Sequence, residues 1–484
     1  MGILQHGAAI PKGGFPDYDI DHSIKFESDN TESLTKSQTA SNRRTWTYSF
    51  WFKKTDSVAF QYLLHSNVGS GSEFDLVFNG GTDYRIADHS SGTRKIAFYS
   101  TVPLNDTAAW YHVVIACDTT QGTAANRFKV YLNGVDVTAI NLYFSTAQYP
   151  DQNYETNVNN SSATLSIGKS ITASTNFRGY ISEFHFVDGT MKDADDFGRY
   201  DSNGVWIPKE YTGAHGNEGY YLDFADAGDL GDDESGNGKD FTENNITAID
   251  QAQDTPTNNF CTMNQNSRTN GNIRTQEGGT KVSTDGGSGW CSMKATMGFG
   301  AGKWYWEAKY HDDGDCNGVY VGVASHNDPW IPARQGGYYL GNVETGGSMG
   351  WYLDNGSNKN QNGSWGNPSR GDKLMIAYDA DNHKLYYGIN GSWGNSANPA
   401  NGTGSVTSIE AYWMSGIGQA LDFIMPAVSV YQGEYMRSFN FGGVCSWSSD
   451  IASSNADANG YGRFEYAPPS GFYAICTKNL AQYG

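Results

Sequence analysis

The run Trp46-Thr47-Tyr48-Ser49-Phe50-Trp51-Phe52 most narrows what this chain can become. On an extended backbone, Trp46, Tyr48, Phe50 and Phe52 share one face while Trp51 lies on the other. A strand with large rings on both sides needs cover on both sides, so the run predicts a central strand in a layered β-structure. No apolar stripe recurs at i, i+3, i+4, i+7 over a helix length anywhere in the chain. The 59 glycines among 484 residues, with 14% aromatics, point the same way, to many strands joined by tight turns. The predicted class is all-β, in two tandem antiparallel sandwiches with very little helix.

Other strands follow from the same period. They include Ser23–Phe26, Phe74–Phe78 before a turn at Asn79-Gly80-Gly81, Trp110–Ala116, Ile167-Gly168 and Phe177–Phe186. Residues 128–137 make the strongest hairpin, because Asn133-Gly134 suits both positive-φ positions of a type I′ turn between alternating apolar residues. A short turn near Lys192–Phe197 is the only helix expected. In the second half, strand patterns cover 302–310, 319–324, 338–340, 350–353, 372–379, 384–393, 423–427 and 439–442.

The stretch from Tyr211 to Cys261 divides the chain. It opens with the alternation Tyr220, Leu222, Phe224, passes through an acidic glycine-rich loop from Asp229 to Asp240, and ends in a short apolar run and polar Thr255–Asn259. This reads as the closing strand of one domain and a hand-over to another. Expected boundaries are an irregular arm over 1–18, a sandwich over 19–250, a linker over 251–260 and a second sandwich with a C-terminal tail over 261–484. Sandwiches of roughly 200–250 residues fold as single units, which fits two of them.

The net charge of −20 repels nucleic-acid phosphates and anionic membranes, and basic residues never run longer than two, as at Arg43-Arg44. Neither nucleic acid nor membrane is an expected partner. Six scattered cysteines without C-x-x-C spacing support neither a zinc site nor a disulfide framework, and fit synthesis in a reducing cytoplasm. The N-terminus lacks the pattern of a signal peptide.

The ordered motifs SIKF, TWTYSFWFK, WYHVVIACD, RFKVYLNG, IGKS and FRGYISEFHFVDG resemble the laminin G-like, concanavalin A-like sandwich family over about Ser23 to Asp250. The resemblance implies a jelly-roll fold and a family in which many members bind glycans, some through calcium. From about Cys261 to Cys476, GKWYWE, VGVA, GDKLMIAYD, LYYGINGSW, PAVSVY and SFNFG resemble the SPRY domain, a sandwich that binds partners through loops at one end. The joint arrangement resembles structural proteins of tailed bacteriophages. That implies a virion localisation after cytoplasmic synthesis, in a tail or fibre component attaching to a host surface glycan or receptor. The arm would dock onto other virion proteins, and a homo-oligomer is expected although no heptad repeat enforces one. The alternative is a head-decoration or capping subunit without a ligand.

Candidate ligand-binding residues are Trp330, Arg334, Tyr338, Asn362, Trp365 and Trp393, whose indoles sit among turn formers, amides and a guanidinium. Indole faces suit sugar C–H surfaces and amides suit hydroxyls, while the plainer reading is that these rings cap the sandwich edges. Asp313, Asp315 and Asn317 open a D-x-D-x-N-G calcium pattern, but Ala324 stands where the bidentate Glu belongs, so an ordinary turn is the simpler reading. The acidic loop 229–240 raises the same pair of readings; no other cofactor is expected. Glu73-Phe74-Asp75 supplies two carboxylates of the E-x-D-x-E glycosidase pattern, yet Val77 and Phe78 occupy the places of the third. The expectation is a binding protein, not an enzyme.

Overall fold

A computed structural model describes residues 18–27, 31–56, 60–79, 83–269, 272–284, 290–310, 319–326, 335–340, 351–355, 371–405, 423–431, 437–444, 447 and 454–484. The arm before residue 18 lies outside them. The chain is all-β and divides into two compact units with the boundary between Asn258 and Asn259. Among the described residues no helix is long and apolar enough to cross a membrane.

The first unit is built from two antiparallel sheets. One runs, edge to edge, through Val135–Asp136, Phe128–Leu132, Trp110–Asp118, Thr45–Lys54, Gly179–Asp188, Ser23–Phe26 and Gln251–Ala252, with Tyr220–Leu222 branching from Gly179–Asp188. The other runs through Phe144–Gln148, Thr93–Ser100, Asp83–Ser90, Ser72–Asn79, Gln61–Gly69, Thr164–Ile167, Ser33–Ser37 and Thr242–Asn244. The aromatic run is central in its sheet, as its composition predicts. Trp46 meets Phe74 of the opposite sheet at 5.4 Å between ring centres, and Phe52 meets Phe78 at 5.4 Å. On the far face Trp51 stacks on His112 at 4.8 Å, and His112 stacks in turn against Trp206. The far face is therefore covered by later chain, which explains why the strand is aromatic on both sides.

The predicted hairpin forms. Leu132 pairs with Val135 across Asn133 (φ 47°) and Gly134 (φ 80°), the two positive values a type I′ turn needs. A Cβ on Gly134 would lie 2.4 Å from the Trp206 ring, so glycine is needed for packing as well as for φ.

The dividing stretch does more than close a domain. Tyr220–Leu222 extends one sheet, Thr242–Asn244 edges the other, and Gln251–Ala252 pairs with Ser23 and Ile24. The reading of 251–260 as a linker is thereby corrected, since residues through Asn258 belong to the first unit. Lys53 Nζ lies 2.7 Å from Asp254 Oδ2 with both side chains at most 1% exposed, and Trp110 Nε1 donates to Asp254 Oδ1 at 3.0 Å. Lys25 and Asp250 form a second buried ion pair at 3.1 Å. In the acidic loop, Asp233 accepts from the backbone N–H of Tyr221, Ser235 and Lys239 and from the Ser235 hydroxyl, at 2.8–2.9 Å. Its oxygens organise the loop from within.

The second unit pairs a sheet of Ile273–Gln276, Lys281–Thr284, Arg437–Asn440, Lys303–Tyr310, Lys373–Asp379, Lys384–Ile389 and Ser392–Trp393 with another of Trp290–Lys294, Ile424–Tyr431, Val319–Ser325, Gln335–Leu340 and Trp351–Asn355. Trp304, Trp306, Ile376 and Tyr378 pack its core with Val321, Val323 and Val428. The expected helical turn near 192–197 is a single 3-10 turn, Ala194–Asp196, capped reciprocally by Asp193 and Asp196. It is not the only helix, because Thr477–Tyr483 forms an α-helix whose Tyr483 stacks on Tyr473 at 3.9 Å. Seven residues give too short a periodic pattern to read from sequence.

Candidate functional site

Four neighbouring strands of the first unit are Gln61–Gly69, Ser72–Asn79, Asp83–Ser90 and Thr93–Ser100; the first sends adjacent Leu63 and Leu64 to the core at a register shift, and the other three send alternate residues. Phe74, Leu76 and Phe78 do so from one strand, Tyr84 and Ile86 from the next, and Ile96 and Phe98 from the third. Strand periodicity then places the intervening residues on the outer face. Register aligns these into three transverse rows. The first is Tyr62, Val77, Arg85, Tyr99; the second His65, Asp75, Ala87, Ala97; the third Asn67, Glu73, His89, Arg94. The middle row is fully buried beneath its neighbours, while Tyr62, Arg85, Tyr99, Asn67, Glu73 and His89 are half-buried and Arg94 is exposed.

The polar groups are fixed by one another. Arg85 donates from Nε and one terminal nitrogen to the two oxygens of Asp75 at 3.2 and 3.3 Å, a bidentate contact that sets the guanidinium plane. Burial raises the Asp75 carboxyl above its ordinary range, and Arg85 offsets only part of that. Glu73 Oε2 takes His65 Nε2 at 3.2 Å and Asn67 Nδ2 at 3.3 Å. The His65 hydrogen bond holds the Glu73 carboxyl below its ordinary range against the opposing effect of burial. His65 Nδ1 accepts the Ile171 N–H at 3.0 Å, so in the neutral ring the proton sits on Nε2, where it donates to Glu73. Tyr62 packs on His65 at 5.1 Å between ring centres, and the Arg94 guanidinium lies 5.2 Å over the Tyr99 ring.

This face combines ring faces at its margin with carboxylate, amide, imidazole and guanidinium groups held in place. Such a surface can recognise a flat, hydroxyl-bearing ligand through C–H contacts to the rings and hydrogen bonds to the polar groups. The Glu73-x-Asp75 pair noted in the sequence lies within it. Val77, where a third carboxylate would stand, is buried in the row of Tyr62 and Arg85.

Trp330, Arg334, Asn362 and Trp365, and the calcium candidates Asp313, Asp315 and Asn317, lie outside the described residues. Tyr338 is placed by its backbone in the strand Gln335–Leu340, paired with Val323 and Leu353. Trp393 is half-buried on the edge strand Ser392–Trp393 and packs against a cluster containing Tyr305, Tyr386 and Phe472. Sequence reading overlooked Tyr62, His65, Arg85 and His89. Arg85-x-Ala87-x-His89 does interleave with core Tyr84 and Ile86, but nothing local shows which strands stand beside it.

Residues 26–195 match the family described as the Concanavalin A-like lectin/glucanases superfamily. Comparison with curated proteins finds no match. Similar solved structures include the SPRY domain of human HERC1, at 16% identity and TM-score 0.27, covering 37% of this chain and 96% of that one. A native heptameric SAP-like pentraxin from Limulus polyphemus matches at 16% identity and TM-score 0.26, over 36% of this chain and 80% of its own. The Ruminococcus gnavus IT-sialidase CBM40 bound to alpha2,3 sialyllactose matches at 14% identity and TM-score 0.26, over 37% and 97%. All three rows of the outer face fall within the matched residues 26–195.

Proposed function

We propose that this protein is a surface component of a tailed-bacteriophage virion, in the tail or a fibre, and that its first sandwich binds a host-surface glycan on the outer face of the second sheet. The observation that carries the binding reading is the row Tyr62, Arg85 and Tyr99, partly open to solvent, with Asn67, Glu73 and His89 on the far side of the buried middle row. Rings and fixed hydrogen-bonding groups on one face are the chemistry sugars require. The match of residues 26–195 to a lectin and glucanase superfamily supports the same class of ligand.

The reading is binding without hydrolysis. Glycoside cleavage needs one carboxyl free to give a proton and a second free to attack or to activate water. Here Asp75 is clamped by Arg85, Glu73 is held by His65 and Asn67, and Val77 fills the third place. The virion assignment rests on the resemblance of the ordered motifs in both halves to phage structural proteins. On it, the arm over 1–18 docks to other virion proteins and the chain assembles as a homo-oligomer.

Glycan-array screening of the full chain tests the binding reading, with Tyr62→Ala and Tyr99→Ala as controls. Selective retention of a glycan class, weakened about tenfold or more by either substitution, is the expected result. No retained glycan, or steady release of reducing ends from a bound polysaccharide, overturns it. Antibody-gold labelling of particles tests the setting: label at tails or fibre tips is expected, and unlabelled particles contradict it.

A further inference from the structure

Glu73 and His89 face each other across adjacent strands, and Asp75 lies two residues along on the same face. One ligand atom from each lies within 4.8 Å of the other two. Glu73 Oε1 is 3.9 Å from His89 Nδ1, beyond hydrogen-bond reach. That ring nitrogen is buried and has no hydrogen-bond partner. The gap between this orphaned imidazole nitrogen and the carboxylate oxygen is slightly wider than the roughly 3.3–3.6 Å between two donors of one tetrahedral ion with bonds of about 2.0–2.2 Å, a difference that a small side-chain rotation closes. We propose that Glu73, Asp75 and His89 form a binding site for a transition-metal dication of the zinc class.

The surroundings fit a ligating carboxylate. His65 and Asn67 both hold Glu73 Oε2, turning the other oxygen toward His89, and the Ile171 N–H fixes the His65 tautomer that does so. Conserving the orientation of a ligand through outer hydrogen bonds is how metal sites gain affinity. Arg85 takes one lone pair on each Asp75 oxygen, which leaves another pair on each for a cation. A mixed nitrogen and oxygen donor set favours zinc, manganese, cobalt or nickel over calcium and magnesium, which take oxygen shells. The guanidinium charge opposes a dication, so binding is weaker than at a closed structural zinc site.

The proposal does not depend on the glycan reading, and it is tested without any sugar present. Tag-free full chain is dialysed against zinc and its metal content measured by mass spectrometry, beside Glu73→Gln, His89→Gln and His215→Gln. The last variant removes the ring that meets His185 of the strand Gly179–Asp188, in the opposite sheet, at 3.1 Å. One zinc per wild-type chain is expected, with affinity at least about tenfold weaker in Glu73→Gln and His89→Gln and unchanged in His215→Gln. Circular dichroism confirms folding of each variant. No zinc on the wild type, equal zinc on His89→Gln, or loss confined to His215→Gln overturns the site.

Discussion

Replacing Asp254 by Ala removes a carboxylate partner of a buried ammonium. The Lys53 side chain is 0% exposed and that of Asp254 1%, so the variant strips a buried cation in the first unit of the carboxylate 2.7 Å from it. Breaking a buried pair from one side costs about 3–5 kcal/mol. The Trp110 Nε1–H also loses its acceptor, a further cost of about 1–3 kcal/mol where no other acceptor replaces it. The ion-pair cost alone lowers the midpoint of a unit this size by roughly 6–20 °C. Calorimetry of the full chain reads the shift, and hydrogen exchange of peptides from Thr45–Lys54 assigns it to the first unit. The double variant Lys53→Met with Asp254→Leu separates charge from packing, because apolar replacement of both partners restores much of the loss. A cost below about 1 kcal/mol for Asp254→Ala would refute the reasoning, since that is the cost of a surface pair.

Two other perturbations follow from single residues. Gly134→Ala forces a Cβ to 2.4 Å from Trp206 at φ 80° and costs about 2–4 kcal/mol by urea denaturation, whereas Gly236→Ala, at φ 81° with open space around it, costs about 1 kcal/mol. Glu307 in the second unit accepts from the Tyr305 hydroxyl, the Asn440 amide and the N–H groups of Glu465 and Tyr466, yet burial pushes its carboxyl up from 4.5 to about 7. The folded state therefore holds the proton more tightly than the unfolded one. Its contribution is fully present below about pH 4.5 and is lost as pH rises through about 7, a change of about 3 kcal/mol that Glu307→Gln removes from the pH profile.

The parts of this fold that sequence reveals are those whose cause is local. Trp46–Phe52 announces a doubly covered strand through its own rings, and Asn133-Gly134 announces its turn through φ alone. The segment 251–260 reads as a linker because the reason for order in it is remote: Asp254 is polar, and the ammonium paired with it stands 201 positions earlier. The same distinction divides the site. Glu73-x-Asp75 is visible as a two-residue spacing on one strand. Its association with His65, Arg85 and His89 depends on strand register, which a linear reading does not fix. The loop tryptophans drew notice for the opposite reason, since turn-forming neighbours suggest exposure, and Trp393 shows how an indole in such a setting can pack instead.

The most direct test of the account is a crystal structure of the full chain with the strongest glycan from the array. The account predicts sugar density over the first sandwich, with a ring against Tyr62 or Tyr99 and hydroxyls within reach of Arg85, Asn67 or Glu73. Sugar bound elsewhere, for example beside Trp330 or Trp365 with those rows bare, would contradict it.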